Sequence, residues 1–272
     1  YASSVNYTVT LKNLDITSSS SQYELIYFEG DSQTSPTLIG TNLTIHDFSG
    51  DSYGGLVLKY NAVANLTGCT FENLTGYTYG GAIYTDSECS LTLTGCTFTG
   101  NVGGGGGGAV YLNNETTGTF TDCTFTNNSD NNYGGAIQVD GSTATITGCT
   151  FTGNTAGNGG AISVEYQSNV TVTDCTITGN SVDSYGGAIF MITNTETATL
   201  TLDGTTTVSG NSAAGGPNPH GGGIAAYYNF APSGAFVVNG AGTRVTGNTP
   251  TPQCVFTTDS GTTWTEAVNC TF

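Results

Sequence analysis

Hydrophobic and polar residues alternate along most of this chain with a period of two. Leu91 and Leu93 alternate with Thr92 and Thr94, Cys96 and Phe98 alternate with Thr97 and Thr99, and Ile137 and Val139 flank Gln138. Such alternation predicts short strands with one buried face. The parity shifts at each Gly-Cys or Asp-Cys junction, which predicts a corner between two strands. The Thr-Gly-Asn and Gly-Gly steps predict further corners, because glycine reaches backbone conformations that other residues avoid.

The pattern repeats. The segment from Leu91 to Asn101 returns with small changes at Thr119–Asn128, Thr145–Asn154 and Thr171–Asn180. Its cysteines, Cys69, Cys96, Cys123, Cys149 and Cys175, are spaced by 27, 27, 26 and 26 residues. A second motif follows each copy, as Gly80–Ile83, Gly107–Val110, Gly134–Ile137, Gly159–Ile162 and Gly186–Ile189. Degenerate copies extend upstream to Val9–Thr17 and downstream to Val245–Asn248.

A repeat of this length, with two or three short strands and no helix, cannot bury its apolar face alone. Stacked turns can, by pairing each strand with its neighbour about 4.8 Å away. The expected fold is therefore all-β: a single-stranded, right-handed parallel β-helix (a solenoid) of about nine coils, with a rod length of about 43 Å. Residues 1–249 form this solenoid, with divergent coils and a long loop over 1–47 and regular repeats over 48–249. Residues 250–272 carry Pro250, Pro252 and, on either side of Trp264, Cys254 and Cys270. They are expected to form a cap hairpin closed by a Cys254–Cys270 disulfide.

Inside the coils, Asn101, Asn128, Asn154, Asn180, Asn211 and Asn248 occupy one position and are expected to stack as a ladder whose amides bond each other and the corner backbone. Phe71, Phe98, Phe125 and Phe151 should form an aromatic stack beside it. The five-cysteine column reads as buried thiols. Stacked neighbours such as Cys69–Cys96 or Cys123–Cys149 are also close enough for disulfides.

The recurring Gly-Gly-Ala-Ile and Phe-x-x-Asn tetrapeptides, one of each per coil over residues 48–248, resemble the repeats of the chlamydial polymorphic membrane proteins. The resemblance implies a secreted right-handed β-helix that acts in adhesion or as a surface structure, not as an enzyme. Members of that family also carry a C-terminal outer-membrane barrel, for which this sequence has no corresponding series of ten-residue alternating strands.

Charge narrows the function. With 20 acidic residues against Lys12, Lys59 and Arg244, the net charge is −17; nucleic acid is excluded as a partner. No apolar run is long enough to span a membrane as a helix. Lyase chemistry on acidic polysaccharides needs a cationic base beside acids, and the three cations lie near opposite ends; His46 and His220 are likewise far apart. No catalytic site, metal site or cofactor is expected. Asp86, Asp140 and Glu165 fall at one repeat position, either as solvated surface acids or as a Ca²⁺ site between adjacent coils.

Eight cysteines and a surface rich in Ser, Thr and Asn suggest an extracellular or cell-surface protein. Sequons occur at Asn6, Asn42, Asn65, Asn73, Asn114, Asn127, Asn169 and Asn269, in a composition where they also arise by accident. Tyr53, Tyr79, Tyr133 and Tyr185 precede the Gly-Gly steps and form a row that suits stacking on sugars or on another subunit. Thr-x-Thr rows run up two faces, as on ice-binding proteins, though Thr is also the favoured polar residue of a strand. Two functions follow as expectations. The first is a non-catalytic structural subunit that polymerises head to tail into a filament, appendage or sheath. The second is an adhesin, or a glycan- or ice-binding module, that uses the Tyr or Thr faces, with cell-surface glycans as partners.

Overall fold

The computed structural model describes residues 6–18, 23–193, 197–213, 221–228, 236–240, 244–249, 254–257 and 264–267. Within them the chain winds as a parallel β-helix whose strands stack into three sheets of nine, fourteen and ten strands. One coil shows how the residues turn. Ser90–Thr94 lies in the first sheet, with Leu91 and Leu93 pointing inward and fully buried. Gly95, at φ 59°, turns the corner and puts Cys96 inside. Thr97–Thr99 continues in the second sheet with Phe98 inward. After Gly100 and Asn101 the short strand Val102–Gly103 extends the same sheet. A glycine-rich loop then leads to Val110–Asn113 in the third sheet, where Val110 and Leu112 face the core.

Successive coils stay in register. Phe98 pairs with Phe71 on one side and Phe125 on the other, and Val110 pairs with Ile83 and Ile137. Each inward position therefore meets its own counterpart above and below, and the rings of Phe71, Phe98, Phe125 and Phe151 follow at 4.8 Å steps. The Gly-Gly step is required at both residues. In the coil at Gly134–Gly135, Gly134 has φ 63°, while a Cβ on Gly135 would lie 2.6 Å from the Thr155 carbonyl oxygen. The first glycine supplies a left-handed turn and the second allows coils to approach backbone to backbone.

The asparagine ladder runs through six coils. Asn128 shows the bonding: its Nδ2 donates to Asn154 Oδ1 at 3.0 Å and to the Phe98 carbonyl at 3.0 Å. Its Oδ1 accepts from Asn101 Nδ2 at 2.8 Å and from the Asn101 backbone N–H at 3.0 Å. Asn154, Asn180 and Asn211 repeat this set, and Asn248 closes it by donating to the Val208 carbonyl. The ladder amides of the buried corner are thus bonded into the neighbouring coils.

One expectation changes. Residues 26–41 are not a loop: Ile26–Glu29 begins the third sheet and Thr37–Thr41 lies in the first, joined by a turn in which Asp31 Oδ1 accepts from Gln33 N–H and the Thr34 hydroxyl. The described part of the long loop is thus already coil. The cysteine column, with Cys89 outside it, consists of free buried thiols and no disulfide is formed among the described residues. Burial pushes the Cys89 thiol up to about 11, which leaves it unreactive at neutral pH. At the C-terminal end Cys254–Thr257 pairs in parallel with the third sheet and Trp264–Ala267 then pairs antiparallel. Cys270, and so the expected Cys254–Cys270 bond, lies outside the described residues.

Candidate ligand-binding face

The third sheet is the one most covered on its outer side. Its outward residues form two rows. The row after the inward aliphatic reads Tyr27, Val57, Tyr84, Tyr111, Gln138, Ser163, Phe190 and Ala225. The other reads Glu29, Lys59, Asp86, Asn113, Asp140, Glu165, Ile192 and Tyr227. The loops that join the second and third sheets fold across these rows. A Cβ on Gly106 would collide with the Gln138 amide oxygen and lie 2.8 Å from the Tyr111 ring, so this loop touches the sheet closely enough to require glycine.

The four tyrosines before the Gly-Gly steps do not make one row. Gly106 occupies the same position in the coil between Tyr79 and Tyr133 and divides the four into two patches, while Asn158 takes it between Tyr133 and Tyr185. Tyr53 and Tyr79 stack at 5.0 Å and both pack on Tyr84, which meets Tyr111 edge-on. Further along the rod, Tyr133 and Tyr185 lie nearly parallel to Phe190, and Tyr185 also to Tyr227. The second patch walls a groove of about 280 Å³ whose polar members are Asn158 and Ser184. The partners Tyr84, Tyr111, Phe190 and Tyr227 escaped the sequence reading. For Tyr84, Tyr111 and Phe190 the signal is the residue after each inward aliphatic, visible once the copies are aligned strand by strand; Tyr227 pairs with Ile192 in the other row.

Lys59 belongs to the first patch. Its ammonium sits 4.9 Å from the Tyr53 ring centroid and donates to the Tyr53 hydroxyl at 2.9 Å. Burial works against its charge, but that bond and nearby Asp86 hold its pKa above the ordinary lysine value.

Between the patches lies a polar stretch. Asp140 and Glu165 pair in register on adjacent coils, while Asp86 is two coils from Asp140 with Asn113 between them. They are not a set of solvated surface acids. Glu165 is 3% exposed, and its Oε1 accepts from Gln138 Nε2 at 2.9 Å and Ser163 Oγ at 2.8 Å. Burial pushes its pKa up to about 8; the charges of Asp140 and Asp130 add to the rise and the two hydrogen bonds oppose it. The physical reason is the loop cover, which has no periodicity of its own. Asp140 accepts from the Tyr111 hydroxyl at 3.3 Å, and burial raises it too. Among the described residues no three His, Cys, Asp or Glu side chains converge in a way that could hold a metal ion.

The remaining candidates lie elsewhere. His46 is on the second sheet at the first coils, between Asp15 at 2.7 Å and Asp47 at 2.9 Å. Lys12 ends the first strand of the first sheet, and Arg244 lies on the second sheet beside Thr207. His220 falls outside the described residues. The sequon residues Asn6, Asn42, Asn65, Asn73, Asn114, Asn127 and Asn169 are all exposed, whereas the ladder asparagines are all buried; Asn269 is outside the described residues.

No curated protein matches the chain. Among solved structures, the A-module of the mannuronan C-5 epimerase AlgE6 from Azotobacter vinelandii is similar at 14% identity, over 87% of this chain and 90% of that one, with a TM-score of 0.23. An overlap that loose carries no argument about chemistry. The comparisons do not single out the chlamydial repeats. Residues 2–272 match the family model described as the right handed beta helix region, and with the sheet topology this places the chain in the right-handed parallel β-helix family.

Proposed function

We propose that this protein is a non-catalytic, extracellular or cell-surface binding module that holds neutral glycans along the outer face of its third sheet. The observation that carries the reading is the groove on that face, where Tyr133, Tyr185 and Tyr227 line about 280 Å³ beside Asn158 and Ser184, with the half-buried Tyr53–Tyr79 stack further along the rod. Sugars offer apolar ring faces that stack on aromatics and hydroxyls that bond amides. The net charge of −17 disfavours anionic polymers, so the ligand is neutral. The carboxylates support binding rather than hydrolysis. Glu165 is buried beneath the loop cover, out of reach of a glycosidic bond, and the described histidine is on another sheet.

The resemblance of the Gly-Gly-Ala-Ile and Phe-x-x-Asn motifs to chlamydial surface repeats supports a place outside the cell. A head-to-tail filament would use the coil ends, where most of the neighbouring chain lies outside the described residues, and no described contact favours it. The binding face lies in the middle of the rod.

A screen of neutral oligosaccharides, followed by calorimetry on those retained, tests the proposal. Tyr185→Ala and Tyr133→Ala should each weaken binding at least tenfold, and Thr145→Ala on the first sheet should leave it unchanged. Retention of acidic glycans alone, or equal binding by all four proteins, would sink the reading.

A further inference from the structure

The second sheet carries a different surface over the strands Thr97–Thr99, Thr124–Thr126, Thr150–Thr152 and Thr176–Thr178, where no aromatic side chain faces outward. Its outward residues in four successive coils are Thr97 and Thr99, Thr124 and Thr126, Thr150 and Thr152, and Thr176 and Thr178, paired residue for residue. All eight are partly or fully exposed, and none of their hydroxyls bonds within the chain among the described residues. No charged side chain points outward in these four strands; Glu72 bounds the array at one end and Arg244, beyond Thr207, at the other.

This array is also flat. Neighbouring strands in a sheet are ordinarily rotated by about 20–25°. Directly beneath the first three of these strands, the rings of Phe98, Phe125 and Phe151 are inclined to one another by only 6° and 3°, at a constant 4.8 Å, and Ile177 continues the column beneath the fourth. Successive strands are therefore related almost by pure translation. Threonines two residues apart on a strand are about 6.7 Å apart. The hydroxyls and methyls thus form a near-rectangular net. Threonine's branched Cβ restricts χ1, so the net is held in place before anything binds. The first sheet carries threonine columns too, Thr92 to Thr171 and Thr94 to Thr173, but they stand over the unlike inward residues Leu93, Phe120, Ile146 and Val172 rather than over a stack of like rings.

A surface of this kind can engage all its rungs at once only with a partner that repeats along the rod axis at the same step. A globular protein has no such repeat, and an isolated sugar chain would meet no ring on which to stack. We infer that the second-sheet Thr-x-Thr net is an ice-binding surface, on which unbonded hydroxyls and intervening methyls order water into a layer continuous with the ice lattice. This function is independent of the aromatic face on the third sheet.

The test is thermal hysteresis and adsorption of fluorescently labelled protein to a growing ice hemisphere. Three chains are compared: the natural sequence, Thr126→Tyr in the middle of the second-sheet net, and Thr145→Tyr on the first sheet. Circular dichroism melts establish that both variants fold. The natural chain and Thr145→Tyr should coat ice and show hysteresis, and Thr126→Tyr should lose at least nine-tenths of it. No adsorption by the natural chain overturns the inference, as does equal loss, or no loss, in the two variants. Retention on crystalline cellulose without adsorption to ice, or a dimer in solution that Thr126→Tyr dissociates, assigns the net to a different repeating partner and also overturns it.

Discussion

At the scale of single residues, the ladder asparagines and Glu165 represent opposite uses of a buried polar group. Asn154 accepts two hydrogen bonds from Asn128 and donates to the Phe125 carbonyl and Asn180. Asn154→Ala would leave two donors and one acceptor of the neighbouring coils buried without partners, so we expect a loss of about 3–5 kcal/mol in chemical denaturation. Thr152→Ala, two residues away on the surface, should change stability by no more than about 0.5 kcal/mol. Glu165 instead holds its proton in the fold. Below its ordinary pKa of 4.5 both folded and unfolded forms are protonated; between there and about 8 the unfolded chain ionises while the folded one does not. The associated stability is therefore full at low pH and is lost as pH rises through this window. Asp130, which burial pushes up to about 6, adds in the same direction. Glu165→Gln keeps the shape and removes the titration, so it should raise stability at pH 7 by on the order of 2–3 kcal/mol and flatten the profile between pH 5 and 8. A variant less stable than the natural chain at pH 7 would show that the carboxyl is ionised in the fold. The ladder was legible in the sequence because stacking puts identical residues in contact and identity survives as a spacing. The burial of Glu165 was not, because its cover comes from loops whose sequences, such as Gly103–Gly107 and Asp130–Tyr133, share no pattern.

At the scale of elements, the first coil is tied on by a clasp that the repeat does not contain. The strand Asp15–Ile16 is two residues long and pairs with Thr44–Ile45, where Thr44 N–H donates to the Leu14 carbonyl at 2.9 Å. Across this junction His46 Nε2 meets Asp15 and Nδ1 meets Asp47, while Asn73 Nδ2 donates to the other Asp47 oxygen. Glu72, which pairs with His46 on the next strand, adds a further negative neighbour. The bond to Asp47 raises the His46 pKa; exposure to water limits its energetic weight, and Asp15 adds a smaller rise. Because the folded pKa lies above the unfolded one, the imidazolium strengthens the clasp at low pH and that help fades as pH rises through the raised value. Hydrogen-exchange protection of the Thr44 amide should therefore fall as pH rises past the ordinary histidine value of 6.5 in the natural chain and stay nearly constant in His46→Gln. Identical profiles in both proteins would mean that the clasp does not hold the strand. The sequence analysis placed a long loop over this region because residues 31 apart in divergent coils leave no repeat to read. The regular coils from residue 48 onward were legible for the reason their core is uniform: each inward residue packs on its own copy.

At the scale of the whole molecule, a rod whose coils contact only their neighbours should tolerate the removal of an entire coil far better than the removal of part of one. Residues 124–149 span one full repeat, from the strand that begins at Thr124 to the corner at Cys149. Deleting them joins Cys123 to Thr150, where the chain already expects a Cys-Thr step. Phe151 would then stack on Phe98, Asn154 would accept from Asn101 in place of Asn128, and Ile162 would pair with Val110. No ladder ends up interrupted and no corner loses its glycine. The outer face changes more than the core: Tyr133, Gln138 and Asp140 leave, and Asn113 comes beside Glu165. The shortened protein should fold with native circular dichroism, show a scattering length shorter by about 5 Å, and melt somewhat lower because one interface is lost. Deleting residues 124–136 alone removes both second-sheet strands of the coil while keeping its third-sheet strand, shifts every later inward residue against the wrong partner, and should leave the downstream coils unfolded. If both deletions fold equally well, stability does not reside in register between identical coils. If neither folds, the solenoid is one cooperative unit that cannot spare a turn. The same comparison separates the two surfaces, since the full-coil deletion removes Tyr133 and its part of the aromatic face but leaves a shorter, unbroken threonine net on the second sheet.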